Sequence, residues 1–327
     1  MPHLIRVGVL RGGPSSEHQV SLDSGLAVLR AIDEHHSEYY EPFDVFIDKE
    51  GKFFVNEVPI GVGDLYSRID LAFNALRGHY GEDGKIQSIL ETYGIPFTGS
   101  GSVASAVGMS KVISKSLFNK YGIKTPVHHE YSSEDIGNDS DQIVARLFKS
   151  FVLPGIVKPA SAGSSVGVTL VRNFTDLGFA FKKAADHSQT VILEQYIPGI
   201  EATCGVIEGF RGQELYALPP IEIVPTTSFF DYEAKYAGKS QEIVPARFGH
   251  SIKVAIEDLA KKIHNLFHLR HYSRSDFIIH PRWGIYALEV NTLPGLTDES
   301  LMPKALRAVG SDLPEFVGHV IEMTRGR

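Results

Sequence analysis

Arg274-Ser-Asp-Phe-Ile-Ile-His280 is the first of two strand-like runs that decide the fold. The second run is Ile285-Tyr-Ala-Leu-Glu-Val-Asn291, and the tetrapeptide Pro281-Arg-Trp-Gly284 lies between them. Two strand-like runs around a turn-like tetrapeptide predict a β-hairpin. A four-residue loop places His280 opposite Ile285, Asp276 opposite Glu289 and Arg274 opposite Asn291. Because side chains alternate along a strand, the last two pairs share one face. The opposite, core-facing side then carries Phe277, Ile279, Tyr286, Leu288 and Val290.

The polar face of this hairpin predicts a metal site. Carboxylates placed opposite each other repel unless something compensates them, and a hard divalent cation held by oxygen ligands does so. The face therefore indicates Mg²⁺ beside Arg274. The alternative is the solvated face of an ordinary hairpin. The loop Asn291-Thr-Leu-Pro-Gly-Leu-Thr-Asp-Glu-Ser300 favours a site, because polar loops at strand ends commonly carry function.

Composition limits the kind of protein and its partners. With 327 residues, 43% of them hydrophobic and 22% charged, the chain predicts two or three packed globular units. A net charge of -7 argues against nucleic acid or an anionic membrane as the main partner. The single cysteine, Cys204, cannot form an intramolecular disulfide, which fits a reducing cytoplasm. No apolar run approaches the length of a membrane span.

The first third of the chain is typical of an α/β domain. A strand at 4–10, a turn at 11–15 and a helix at 17–31 form a β-loop-α opening. Further strands at 43–47 and 71–76 and a helix at 86–93 complete the pattern near Phe97. A glycine-serine linker at 98–102 follows, so we expect an N-terminal α/β domain over residues 1–101.

Two further units are expected after the linker. A single helix over 103–121, a polar surface loop at 132–141 and a short helix at 143–148 open the second unit. Strands at 155–159 and 166–172, a helix at 177–185 and a strand at 190–197 follow, and a helix at 313–323 ends the chain. These elements predict a central subdomain over 102–189 and a C-terminal domain over 190–327.

A loop of small residues, Lys158-Pro-Ala-Ser-Ala-Gly-Ser-Ser-Val-Gly167, offers backbone donors, hydroxyls and a lysine to phosphate groups. A hairpin with a mobile tip is an equally good interpretation. Downstream, Glu194 to Ile197 could read an adenine edge, with Glu194 and Glu201 accepting from an amine or from ribose hydroxyls. The alternative there is a buried strand with exposed acids.

Three other segments carry weaker functional signals. Gly99-Ser-Gly-Ser-Val-Ala104 matches a dinucleotide-binding pattern, but no acidic residue follows at the proper distance, so a hinge or a helix start is favoured. Glu17, at a helix start, could face a cationic ligand. The connector at 225–243 is long enough to be a lid, with Lys235 and Tyr236 facing inwards. Alternatively, this connector is an amphipathic patch that packs Phe229 and Phe230 against the body.

Taken in order, these motifs resemble those of the ATP-grasp enzymes, and specifically the D-alanine:D-alanine ligase family. The resemblance runs from about Val7 to Met302. The motifs that carry it are Gly12-Gly-Pro-Ser-Ser-Glu-His-Gln-Val-Ser-Leu22, Gly81-Glu-Asp-Gly-Lys-Ile-Gln87, Phe97-Thr-Gly-Ser-Gly101, Gly163-Ser-Ser-Val-Gly167, Phe230-Asp-Tyr-Glu-Ala-Lys-Tyr236 and Glu289-Val-Asn-Thr-Leu-Pro-Gly295.

The resemblance implies a mixed α/β, three-domain ATP-grasp fold with a Rossmann-like N-terminal domain and nucleotide held between the other two domains. It implies a cytoplasmic enzyme of peptidoglycan synthesis that needs ATP and Mg²⁺, with Mn²⁺ as a substitute, and that can form a homodimer. ATP phosphorylates the carboxylate of one D-alanine, and the amine of a second D-alanine attacks the acyl phosphate to give the dipeptide, ADP and phosphate.

The resemblance also assigns roles to residues of this chain. The magnesium ligands are Asp276, Glu289 and Asn291, and the oxyanion partners are Arg274 and the Gly295 N–H. The ATP phosphates meet Lys111, Lys158, Ser165 and Lys235, and the adenosine meets Glu194, Tyr196, Ile197 and Glu201. Glu17 takes the first ammonium, Ser300 takes the second carboxylate, and Ser164 and Tyr236 link with Glu17 to tie the lid over the site.

Two positions depart from the family pattern. Arg77 stands where the family usually has histidine, which places a permanent charge beside the first substrate. Ser110 stands where aspartate is common, a change expected to affect only local helix structure.

Tyr236 favours an amine acceptor, so D-alanine leads over D-lactate or D-serine as the second substrate. A nucleotide-binding regulator without catalysis is the remaining alternative.

Overall fold

A computed structural model describes residues 4–161, 163, 166–225 and 240–326. Within these ranges the chain forms three β-sheets and ten α-helices. The mixed α/β class predicted from the motifs is confirmed. None of the described helices combines the length and apolar character needed to cross a membrane.

The first sheet has the strand order β4-β3-β2-β1-β5. Strand β1 pairs in parallel with β2 and β5, while β3 and β4 add an antiparallel edge. The strands are β1 (Ile5–Gly12), β2 (Tyr40–Ile47), β3 (Phe53–Val55), β4 (Val58–Ile60) and β5 (Leu71–Asn74), and the helices of this region are α1 (His18–His35), α2 (Val62–Arg68) and α3 (Lys85–Thr92).

The second sheet is antiparallel, in the order β6-β9-β7-β8. Its strands are β6 (His128–Ser132), β7 (Gly155–Pro159), β8 (Thr169–Val171) and β9 (Thr190–Gln195). The helices of this part are α4 (Ser102–Met109), α5 (Lys111–Lys120), α6 (Ser133–Ser150) and α7 (Leu177–Ala185).

The third sheet follows the order β13-β12-β10-β14-β15, with β11 also paired to β10. Its strands are β10 (Ile200–Glu208), β11 (Leu215–Ala217), β12 (Ile221–Pro225), β13 (Ser240–Ile243), β14 (Tyr272–His280) and β15 (Gly284–Asn291). The remaining helices are α8 (His250–Leu266), α9 (Leu301–Ala308) and α10 (Leu313–Arg325).

The predicted hairpin is β14 and β15, but the length of its loop and some of its core-facing residues were predicted wrongly. His280 pairs with Gly284, not with Ile285, so the loop is one residue shorter than expected. A β-bulge between Asp276 and Phe277 restores the register, because Asp276 pairs with Glu289 whereas Phe277 pairs with Ala287. The predicted pairs Asp276 with Glu289 and Arg274 with Asn291 are therefore confirmed.

The bulge also changes which side chains face the core. Beyond it the alternation is inverted, so Ala287 and Ile285 pack in the core instead of the expected Tyr286 and Leu288. Leu288 instead lines a cleft on the opposite face of the sheet.

The expected single helix over 103–121 is two helices, because Ser110 has an extended backbone with ψ of 104°. Its side chain accepts a hydrogen bond from the Ile113 N–H, as an N-cap residue does. Lys111, the first residue of α5, is buried and donates its backbone N–H to the Ala160 carbonyl.

The prediction of a polar loop at 132–141 was also wrong, because α6 begins at Ser133. Ser132 caps this helix by accepting from the Asp135 N–H, and acidic residues occupy the first turn, where they suit the helix dipole. The predicted linker at 98–102 packs against the rest of the protein, since Thr98 and Ser100 are buried. The Gly99 N–H donates to His271 Nδ1, which ties this segment to the third sheet.

One hydrophobic core joins the first and third sheets. It includes Val7, Val9 and Phe73 from the first sheet together with Tyr272 from β14 and Phe316 from α10. Tyr272 and Phe316 form an edge-to-face pair with ring centroids 5.1 Å apart. The second sheet packs with α6 and α7 around a separate core. The proposed domains 1–101 and 190–327 therefore share buried surface, while the domain limits themselves stay a prediction.

Candidate active site

A cleft of about 450 Å³ opens between the second and third sheets. Apolar side chains from both sheets form much of its wall, including Ile156, Ile197 and Ile278. Eight of the predicted site residues line it: Lys111, Lys158, Glu194, Tyr196, Ile197, Glu201, Asp276 and Glu289. An apolar cleft with a few placed charges suits a flat, polyanionic ligand such as a nucleotide.

Glu194 lines this cleft and lies between two lysines. Lys158 Nζ donates to its Oε1 at 2.6 Å, and Lys115 Nζ lies 2.8 Å from its Oε2. Burial opposes the ionisation of Glu194, but the two ammonium groups outweigh it and lower its pKa to about 2. Burial also lowers the pKa of Lys115 to about 8, against the attraction of Glu194.

Lys115 was missed as a site residue by the sequence interpretation. It follows Lys111 by four positions, so both side chains project from the same side of α5. This spacing was the available signal.

Asp276 collects the hydrogen bonds of the hairpin's polar face. Arg274 donates to both of its oxygens, from Nε at 2.9 Å and from Nη2 at 3.0 Å. Asn291 Nδ2 and Thr203 Oγ1 donate at 3.0 and 2.6 Å. Burial disfavours the Arg274 cation, but Asp276 more than compensates and raises the Arg274 pKa. Thr203 was not predicted, because the sequence does not reveal that β10 pairs with β14.

Glu289 lies beside Asp276 on this face and forms an ion pair with Lys111, whose Nζ is 3.1 Å away. The two carboxylates are thus compensated by Lys111 and Arg274. Asn291 uses its amide nitrogen towards Asp276, which leaves its carbonyl oxygen as an acceptor. Two carboxylates and an amide carbonyl are the hard oxygen donors that Mg²⁺ prefers, so the predicted set fits that ion. The described residues contain no group of three or more His, Cys, Asp or Glu side chains placed to hold a metal, so Asn291 is needed to complete the predicted set of two carboxylates.

A smaller cavity of about 30 Å³ adjoins the cleft, and both are lined by Lys111, Gly163 and Glu289. Its wall includes Glu17 and Arg77, both predicted as substrate contacts.

Arg77 lies between two acids in this small cavity. Its Nη1 is 2.9 Å from Glu82 Oε1, and its Nη2 is 4.0 Å from Glu17 Oε1. Burial raises the pKa of Glu82 to about 6, although Arg77 opposes this rise. Two acids and one arginine leave a net negative charge when both acids are ionised, which suits an ammonium group. Glu82 belongs to the motif at 81–87, but the sequence predicted no role for it.

Gly295 and Ser300 are brought together by the loop after β15. A Cβ on Gly295 would lie 2.7 Å from Ser300 Oγ, so glycine allows this close approach. Ser300 Oγ is also 2.7 Å from Thr297 Oγ1. Neither Gly295 nor Ser300 is among the described residues that line the two cavities. The predicted site residues Ser164, Ser165, Lys235 and Tyr236, together with Phe229 and Phe230, lie outside the described residues.

Glu222 and Arg247 form a further pair at the cleft that was not predicted. Arg247 donates to Glu222 through Nε at 3.0 Å and through Nη2 at 2.5 Å. These hydrogen bonds lower the pKa of Glu222 despite its burial. No pattern in the sequence connects the two residues, which come from β12 and from the segment after β13.

Comparison with known proteins finds two matching family models. The model described as the N-terminus of D-ala D-ala ligase matches residues 6–62 and 55–100, and the model of its C-terminus matches residues 117–322. The D-alanine–D-alanine ligase of Pelotomaculum thermopropionicum is 36% identical over 325 residues, covering 98% of this chain and 96% of the relative. The corresponding ligase of Desulforudis audaxviator is 37% identical, covering 98% and 99%.

Solved structures resemble the whole fold. The VanG D-Ala:D-Ser ligase from Enterococcus faecalis has a TM-score of 0.86 at 27% identity, covering 98% of this chain and 100% of that one. The D-alanine-D-alanine ligase from Coxiella burnetii has a TM-score of 0.82 at 25% identity, covering 98% and 94%.

Proposed function

Because this chain belongs to the D-alanine–D-alanine ligase family, we propose that it joins two molecules of D-alanine into D-alanyl-D-alanine with the cleavage of ATP. The product serves peptidoglycan synthesis, and the reaction takes place in the cytoplasm, where ATP is available. The observation that carries the proposal is the meeting of the two cavities at Lys111, Gly163 and Glu289. A phosphate donor in the cleft and an amino acid in the small cavity would meet at these residues.

The cleft suits ATP in both its apolar and its charged parts. Ile156, Ile197 and Ile278 provide apolar surface for the base, while Glu194, Tyr196 and Glu201 offer acceptors and backbone groups for the adenosine. Lys111 and Lys158 then neutralise phosphate oxygens. Ser165 and Lys235 are assigned to the same phosphates by the family motifs.

Mg²⁺, held by Asp276, Glu289 and Asn291, would supply positive charge to the phosphate oxygens. When no Mg²⁺ is bound, the ion pair with Lys111 balances the negative charge of the Glu289 carboxylate. When ligand oxygens enter, Lys111 can turn from Glu289 towards a phosphate. Arg274 stays fixed on Asp276 through two hydrogen bonds, which holds its guanidinium ready for negative charge.

The amino-acid substrates need an ammonium site and two anion sites. Glu17 and Glu82 provide negative charge for the first ammonium, and Arg77 offsets part of that charge. Arg274 and the Gly295 N–H stabilise the oxyanion, and Ser300 receives the carboxylate of the second substrate. Ser164 and Tyr236 are assigned to the contact with Glu17 that excludes water from the acyl phosphate.

Incubation with ATP, Mg²⁺ and D-alanine tests this function directly. We expect release of phosphate together with equimolar D-alanyl-D-alanine, measured by a phosphate assay and by mass spectrometry. A panel containing D-serine and D-lactate as second substrates would show whether D-alanine is preferred. Binding of ATP without product from any of these substrates would exclude the proposed ligation.

A further inference from the structure

Lys115 is fully buried, although it carries an ionisable ammonium group. Its Nζ donates to Thr125 Oγ1 at 2.9 Å and lies 2.8 Å from Glu194 Oε2. Lys115 is not among the described residues that line the cleft, whereas Glu194 and Lys158 are. A ligand in the cleft would therefore meet Glu194 but not Lys115.

Three elements converge on the Glu194 carboxylate. Lys158 approaches Oε1 from β7, Lys115 approaches Oε2 from α5, and Glu194 itself extends from β9. Oε1 accepts an aligned hydrogen bond from Lys158, but Oε2 has only the ionic contact and accepts no aligned hydrogen bond within the described structure. Each carboxylate oxygen has two lone pairs, so the Glu194 carboxylate can accept a further hydrogen bond beside these two lysines.

A buried carboxylate between two lysines is not required to stabilise the fold. An apolar residue in place of a buried ion pair commonly leaves a protein equally stable, so the charges need another explanation. Two ammonium groups on one carboxylate keep that carboxylate ionised. An ionised carboxylate can only accept hydrogen bonds, so it favours a donor over an acceptor on the ligand atom that meets it in the cleft.

We infer that Lys115 is a positioning residue for nucleotide selection: it holds Glu194 ionised and oriented, so that the cleft accepts a purine with an amino group and rejects one with a carbonyl at the same place. This inference rests on the proposed function, because it assumes that a nucleotide base lies against Glu194. Lys115 acts only through Glu194 and does not touch the base.

The inference is tested by equilibrium binding of ADP and IDP, which differ at position 6 of the purine and are not turned over. Titration calorimetry in the presence of Mg²⁺ gives the ratio of the dissociation constants for IDP and ADP. We expect the unmodified chain to bind ADP more tightly, and Lys115→Gln and Lys115→Met to reduce the ratio by roughly tenfold. Lys120→Met, an exposed lysine on the same helix, should leave the ratio unchanged.

A double-mutant cycle distinguishes positioning from a general structural role. Glu194→Gln should also reduce the ratio, and Lys115→Gln should have no further effect on it in the Glu194→Gln background. Lys115→Gln keeps a polar group near Thr125, and circular dichroism checks that each variant is folded.

Several results would overturn the inference. The first is that the unmodified chain binds IDP as tightly as ADP, a result that does not depend on the folding of any variant. A folded Lys115 variant with an unchanged ratio is another, as is an independent effect of Lys115→Gln in the absence of Glu194. Dipeptide formation by the unmodified chain is measured separately, so failure of this selection is distinguishable from failure of the proposed ligation.

Discussion

At the residue scale, Glu289 forms an ion pair with Lys111 and is also proposed to bind Mg²⁺. Glu289→Gln removes the negative charge with almost no change in volume, so the fold should be retained. We expect turnover to fall on the order of a hundredfold and to need more Mg²⁺ for half-saturation. A magnesium titration of phosphate release measures both effects.

Glu299→Gln is the matched control for this variant. Glu299 also pairs with a lysine, Lys304, at 2.9 Å, but its side chain is 90% exposed. Turnover of Glu299→Gln should therefore be unchanged. Undiminished turnover of Glu289→Gln at limiting Mg²⁺ would contradict the metal assignment.

The sequence could predict residues related by spacing along one strand or hairpin, but not residues related by tertiary pairing. Asp276 and Glu289 were placed opposite each other because the loop error and the bulge compensate. Thr203 contacts Asp276 across 73 positions, and nothing in the sequence says which strand neighbours β14. Glu222 and Arg247 were missed for the same physical reason.

At the scale of elements, the break between α4 and α5 depends on the Ser110 cap. Ser110→Ala removes the acceptor for the Ile113 N–H, so we expect the free energy of unfolding to fall by about 1 kcal/mol. Ser110→Asp keeps an acceptor and adds a favourable charge at the helix start, so it should cost nothing. Urea unfolding of the three proteins measures the differences.

Ser116→Ala provides the control, because Ser116 is an exposed residue inside the same helix. Alanine is a better helix former than serine, so this variant should be as stable as the parent or slightly more stable. Equal losses from Ser110→Ala and Ser116→Ala would show that the cap does not stabilise the break.

Both wrong element predictions arose from serines whose local role was not recognised. Ser110 lies within an apolar periodicity that continues through it, and only its cap geometry divides the helix. Ser132 begins α6, although the polar residues after it resemble a loop in composition. A cap and an exposed helical face can have the same composition as a loop, so the distinction depends on tertiary packing.

At the scale of the whole molecule, the family and fold class were predicted from the order of the motifs and are confirmed. The family models match residues 6–100 and 117–322, and the solved relatives cover nearly the whole chain. The shared core of the first and third sheets was not predicted. Hydrophobic periodicity marks which residues are buried but not which element they contact.

This shared core predicts that the first and third sheets unfold together. Phe316→Ala should destabilise the protein by about 3–5 kcal/mol, because Phe316 is fully buried against Tyr272. Calorimetry should show one transition for both sheets, shifted as a unit to lower temperature. Two transitions, with only one of them shifted by Phe316→Ala, would contradict a shared core.

Phe179→Ala is the control, since Phe179 is 72% exposed on α7. Its effect on the free energy of unfolding should lie within about 0.5 kcal/mol.

The contribution of α10 to the core of the first sheet also has a consequence during synthesis on the ribosome. The α10 residues that share a core with Val7 and Val9 are translated some 300 positions after them. The N-terminal sheet therefore cannot complete its core as it emerges, although domains usually fold in order of synthesis. Its apolar surface has to wait for the C-terminal helix, and a chaperone that binds nascent chains would find its substrate there.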